Sequence, residues 1–144
     1  MKPLKTFHVS KIENLDQVSN FLIKEILPLH SVLSFEADLG AGKTTLISRI
    51  INKLGEKETS SPTYTIVNEY QVSLGKAYHF DFYRLKSAEE ALDFGWLEYL
   101  DSGNVCFLEW ASKICAYMPD QYVSIKIEVK EDTSRIFSVF QNGI

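Results

Sequence analysis

The stretch Ala37-Asp38-Leu39-Gly40-Ala41-Gly42-Lys43-Thr44-Thr45 constrains this chain more than any other. It lies between the apolar run Val32-Leu33-Ser34-Phe35 and the helical pattern Leu46-Ile47-Ser48-Arg49-Ile50-Ile51. A strand, a glycine-bearing loop and a helix in that order are the context of a phosphate-binding P-loop. Backbone N–H groups of such a loop turn inward around phosphate oxygens. The helix N-terminus behind them adds partial positive charge. Lys43 is placed to reach the β- and γ-phosphates, and the Thr44 hydroxyl to ligate Mg²⁺. Ala37 stands where the first glycine of G-x-x-x-x-G-K-[ST] is usual. Alanine is the smallest replacement, and Gly40 and Gly42 remain. The competing reading is an ordinary glycine-containing turn, capped by Thr44, ahead of an ordinary helix.

A chain of 144 residues fits one domain, 1–144. Its apolar fraction of 45% is enough for a real core. A net charge of −4 carries no electrostatic footprint of a nucleic-acid binder, so direct RNA or DNA binding by this chain alone is disfavoured. Two cysteines, Cys106 and Cys115, make no disulfide framework, and Cys106 sits in an apolar run as a small core residue. No apolar run approaches membrane-spanning length and no N-terminal apolar leader is visible. The expectation is a soluble, cytoplasmic chain.

Periodicity supplies the frame around the loop. Residues 5–9 alternate as an edge strand. Asn14 is expected to cap a helix with apolar positions at Leu15, Val18, Phe21, Leu22 and Ile26, ending before Pro28. Residues 31–37 form a buried strand, and residues 43–54 a helix stopped by Gly55. Residues 65–72 and 76–83 are rich in β-branched and aromatic residues. A three-residue connection with Gly75 reads as a hairpin between them. Ser87-Ala88-Glu89-Glu90 has the form of a capping box. Residues 105–108 make a short apolar strand that delivers Glu109. Residues 122–129 and 135–140 make a second hairpin. The sum is a three-layer α/β, P-loop NTPase-like fold. Its mixed central sheet is parallel around the P-loop and extended by antiparallel hairpins.

A P-loop needs acidic groups to hold Mg²⁺ and place an attacking water. Glu109, at the end of an apolar strand, fits that place, although Leu108 holds the position where an aspartate is usual. In His79-Phe80-Asp81-Phe82-Tyr83-Arg84, a period of two puts His79, Asp81 and Tyr83 on one face and Phe80 and Phe82 on the core side. The polar face reads as a site wall or as an ordinary solvated strand face. Residues 59–64, polar with one proline, read as a switch-like loop or a plain connection. Trp110 reads as core or interface. Asp93-Phe94-Gly95 spells a kinase metal motif without the rest of a kinase, so it is expected at a helix end.

Taken together, Asp38 to Thr45, Ser61-Pro62-Thr63-Tyr64, His79 to Leu85 and Glu109-Trp110, in this order in so short a chain, resemble the TsaE (YjeE) family. That resemblance covers nearly the whole sequence. It implies a cytoplasmic, Mg²⁺-dependent bacterial P-loop ATPase of tRNA threonylcarbamoyladenosine biosynthesis. Such an ATPase acts with the TsaB–TsaD heterodimer, meets tRNA only through that complex, and does not itself catalyse the transfer. It further implies weak basal hydrolysis that rises on assembly. By this resemblance Lys43, Asp81 and Glu109 serve catalysis, and Thr44 and Glu109 serve the metal. Leu39, Gly40, Ala41, Gly42, Lys43, Thr44, Thr45, Thr63 and Arg135 bind ATP. Ala111 follows Trp110 where the family commonly has proline. Two other readings stay open from sequence: a nucleotide-gated docking module whose hydrolysis is incidental, and a small P-loop kinase.

Overall fold

The computed structural model describes residues 2–38, 40–56, 66–73 and 75–142. Among the described residues seven strands form one sheet: β1 (Lys5–Val9), β2 (Val32–Glu36), β3 (Val67–Val72), β4 (Gly75–Asp81), β5 (Val105–Glu109), β6 (Tyr122–Val129) and β7 (Arg135–Asn142). Their spatial order is β1-β7-β6-β2-β5-β4-β3. The four central strands, β6, β2, β5 and β4, run parallel. The outer pairs β4–β3, β6–β7 and β7–β1 are antiparallel. This is the mixed sheet the sequence predicts.

Helices cover both faces. On one lie α1 (Leu15–Phe21) and α2 (Lys43–Lys53). Their residues Val18, Leu46, Ile47 and Ile50 are fully buried against Leu33, Phe35 and Phe107. On the other lie α3 (Glu89–Asp93), α4 (Trp96–Asp101) and a 3-10 segment, Ala111–Tyr117. There Phe80, Phe82, Trp96, Cys106 and Leu108 form a second core. Because β2 and β5 are buried on both faces, their sequences are near-continuous apolar runs rather than alternating ones. Burial also pushes the Cys106 thiol pKa up to about 12.

Helix α2 opens on Gly42, whose φ of 106° is left-handed backbone that favours glycine. It closes in a Schellman motif: Gly55 N–H donates to Asn52 O at 3.1 Å and Glu56 N–H to Ile51 O at 3.3 Å. Asp93 ends α3, as expected for the Asp93-Phe94-Gly95 lookalike.

Four local expectations need correction. Asn14 takes the N-cap position of α1, but its side chain makes no cap bond to the helix. It ends a 3-10 turn, Ile12–Asn14, and its Oδ1 accepts from Lys11 N–H at 3.2 Å. The side chain thus closes the turn before the helix. The first helix continues as a wide turn, Leu22–Ile26, with Leu27 N–H bonded to Leu22 O at 2.9 Å ahead of Pro28. The box at Ser87 is displaced by one residue, since Glu90 Oε1 accepts from Lys86 N–H at 3.0 Å. The first hairpin is tighter than predicted, with Val72 paired to Gly75, and β4 stops at Asp81 instead of Tyr83.

Candidate nucleotide site

The P-loop leaves the C-terminal end of β2, the central strand, where open α/β sheets bind their ligands. Strand β5 lies beside it, with Glu109 level with Phe35. Strand β4 follows, with Asp81 level with Glu109. Side-chain alternation puts Val105, Phe107 and Glu109 on the α2 face of β5, and Ala77, His79 and Asp81 on the same face of β4. The two carboxylates therefore stand on adjacent strand ends, over the N-terminus of the P-loop helix.

Asp81 is held there by its neighbours. Phe80 and Phe82 on either side are fully buried, stacked on each other and edge-on to Trp96 at 5.1 and 5.7 Å. Such pairs contribute about 0.5–1.5 kcal/mol each beyond their buried area. Asp81 Oδ1 accepts from Tyr83 N–H at 3.0 Å, so an Asx turn ends the strand and orients the carboxylate.

Thr44 Oγ1 donates to both carboxylate oxygens of Glu109, at 3.0 Å each. Glu109 is only 4% exposed, so it is no solvated strand-end acid. Lys43 is buried, donates from Nζ to Ala37 O at 2.8 Å, and lies 4.1 Å from the centre of the Trp110 ring. Arg135, from the first position of β7, donates from Nε to Ala41 O at 2.7 Å. Gly40, Gly42, Lys43, Thr44 and Thr45 form one wall of a cavity of about 260 Å³, and Asp81, Tyr83, Glu109 and Trp110 the other.

Of the predicted site residues, Gly40 to Thr45, Asp81, Glu109 and Arg135 thus converge around one loop. Leu39 and Thr63, with the switch-like residues 61–64, lie outside the described residues. Three side chains join the site beyond the expected catalytic, ATP-binding and metal residues: His79, Tyr83 and Trp110. His79 Nε2 lies 2.5 Å from Glu109 Oε2. Trp110, with a left-handed φ of 60°, turns its ring over Lys43 and against Tyr83 at 5.0 Å. Alternation had already placed His79 on the Asp81 face. Nothing local to position 110 announced its turn.

A hydroxyl and a carboxylate are the hard oxygen donors Mg²⁺ takes, and Mg²⁺ bound with phosphates keeps few protein ligands. Among the described residues no group of three or more His, Cys, Asp or Glu converges on a metal position. Thr44 and Glu109 therefore fit Mg²⁺ as partners of a phosphate-bound ion rather than as a self-sufficient metal cage.

Fold and site together define a P-loop NTPase-like protein. A family model described as "Threonylcarbamoyl adenosine biosynthesis protein TsaE" matches residues 9–137. The chain belongs to the TsaE family. It is 33% identical over 124 residues to the tRNA threonylcarbamoyladenosine biosynthesis protein TsaE of Haemophilus influenzae, covering 83% of this chain and 78% of the relative. It is 39% identical over 105 residues to the protein of that name from Bacillus subtilis, covering 72% of this chain and 65% of the relative. Its fold is similar to the crystal structure described as Bacillus subtilus YdiB, with a TM-score of 0.73 and 27% identity over 96% of this chain and 84% of that one. Among the described residues no helix is long and apolar enough to cross a membrane.

Proposed function

We propose that this protein binds ATP with Mg²⁺ at the P-loop and hydrolyses it as the ATPase component of bacterial tRNA threonylcarbamoyladenosine biosynthesis. It works in the cytoplasm with TsaB–TsaD, meets tRNA only through that complex, and leaves the threonylcarbamoyl transfer to its partners. The observation that carries the ATPase reading is the bond from Thr44 to a buried Glu109, with Asp81 level on the next strand. Family membership supplies the pathway.

In this reading the N–H groups at the start of α2 receive the phosphates, and Lys43 leaves Ala37 O and Trp110 to reach them. Thr44 and Glu109 hold Mg²⁺, which when bound neutralises charge developing on the phosphates. Asp81, held by its Asx turn at the open side of the cavity, orients the attacking water and accepts its proton. Arg135, bonded to Ala41 O, fixes the loop backbone around the nucleotide.

The test is ATP turnover with and without cognate TsaB–TsaD. Turnover rises on assembly, and Lys43→Ala, Asp81→Ala and Glu109→Ala remain folded while losing it. Absence of both stimulation and co-elution defeats the partner assignment. Undiminished turnover in Asp81→Ala removes that residue from the chemistry.

A further inference from the structure

His79 is buried at 9% exposure, directly beside a Glu109 carboxylate that is itself only 4% exposed. Its Nε2 meets Oε2 at 2.5 Å, while Thr44 spans both oxygens. The arrangement is asymmetric, since the histidine engages one carboxylate oxygen only. An ionised carboxylate accepts and never donates, so the hydrogen belongs to Nε2, and the neutral imidazole can supply it. The place of His79 on the strand is fixed by pairing to Phe107 in the parallel ladder, and the residue is enclosed on the α2 face of the sheet, where Ala77 is fully buried.

We infer that His79 is a positioning residue for Glu109, its Nε2–H holding Oε2 so that the carboxylate keeps one orientation toward Thr44 and the metal. The inference rests on the reading of Glu109 as a Mg²⁺-side carboxylate. When the Thr44 hydroxyl turns from Glu109 toward an ion, His79 keeps its hold on the carboxylate. Without it, Glu109 is free to rotate about its terminal bonds, and ordering it has to be paid for at the moment the ion binds. Hydrogen-bond partners behind a metal ligand typically change metal affinity 10–100-fold.

The readout is the ratio of two AMP-PNP affinities measured by calorimetry, one in saturating Mg²⁺ and one in EDTA. This ratio isolates the metal contribution, and general loosening of the core does not move it. His79→Leu lowers the ratio by about tenfold or more while the EDTA affinity holds. His79→Gln, whose amide N–H reaches the place of Nε2, restores most of it. His79→Asn, whose N–H stops near the place of Nδ1, does not. A folded His79→Leu protein with the wild-type ratio overturns the inference. Should that variant fail to fold, a His79→Asn protein with the wild-type ratio overturns it equally. Glu109→Gln separates the two levels of the argument. A wild type without Mg²⁺ preference, or a Glu109→Gln protein with the full ratio, defeats the reading of Glu109 itself. A collapsed ratio in Glu109→Gln beside an intact one in His79→Leu defeats the role of His79 alone.

Discussion

Lys43 Nζ sits 4.1 Å from the centre of the Trp110 ring while donating to Ala37 O at 2.8 Å. A buried ammonium is thus held by an aromatic face and one carbonyl, a pairing in which the ring contributes about 0.5–2 kcal/mol. Moving Lys43 to the phosphates dissolves it.

Trp110 should therefore report nucleotide binding by its fluorescence. Trp96, the second tryptophan, is fully buried with its indole N–H bonded to Tyr117 O, and gives a constant background. Emission changes on adding Mg²⁺ and AMP-PNP, and the change disappears in Trp110→Phe. A full-sized change in Trp110→Phe would mean that the nucleotide acts on Trp96, and that Lys43 does not leave the ring.

Ala37→Gly should weaken nucleotide binding more than it lowers turnover at saturation. Position 37 does not need positive φ in this loop, so glycine there adds freedom without relieving strain. The cost to the fold is about 0.5–1 kcal/mol, or roughly 2–4 °C in Tm for a chain of this size. Calorimetry against saturating kinetics checks the split. The reverse outcome would mean that position 37 acts on the catalytic geometry.

Arg135→Ala removes the bond from Nε to Ala41 O and leaves a buried loop residue with one contact fewer. Nucleotide affinity should fall about tenfold, the equivalent of roughly 1.4 kcal/mol. Arg135→Lys should not restore it, because lysine has no N–H at the position of Nε. Equilibrium binding of AMP-PNP to both variants measures this, and a fully active lysine variant would show that charge alone suffices.

Cys115 is exposed and Cys106 is buried, with a thiol pKa pushed up to about 12. The thiolate is the reactive form, so at pH 8 Cys106 is both protonated and shielded. Mass spectrometry after alkylation should find one modified cysteine in the folded protein, Cys115, and both in denaturant. Modification of native Cys106 at a comparable rate would contradict the packing of β5.

Local patterns were legible where a local interaction decides the structure. The P-loop, the apolar face of α2, the buried strands and the second hairpin follow from periodicity and from glycine at left-handed positions. So does the shared face of His79 and Asp81 on β4. Reading failed at the helix caps, where one carboxylate or amide can satisfy several nearby N–H groups. Asn14 and Glu90 each chose a partner other than the one their spacing implied.

By itself, then, the sequence determined that a glycine-bearing loop would precede a helix, that Glu109 would stand at a strand end and Asp81 on a polar strand face, and that a core would form on both faces of a sheet. Only the tertiary structure decided which acid stands beside which. Asp81 and Glu109 are level because β4 and β5 pair in one register, and that register is set by backbone hydrogen bonds and packing between strands far apart in the chain. The same pairing brings His79 to Glu109 and, with α2 packed against β5, Thr44 to the same carboxylate. Trp110 reaches Lys43 by a left-handed turn after β5 that no neighbouring residue announces. Spacing along the chain carries side-chain direction; the distance between two strands' ends is a property of the assembled sheet.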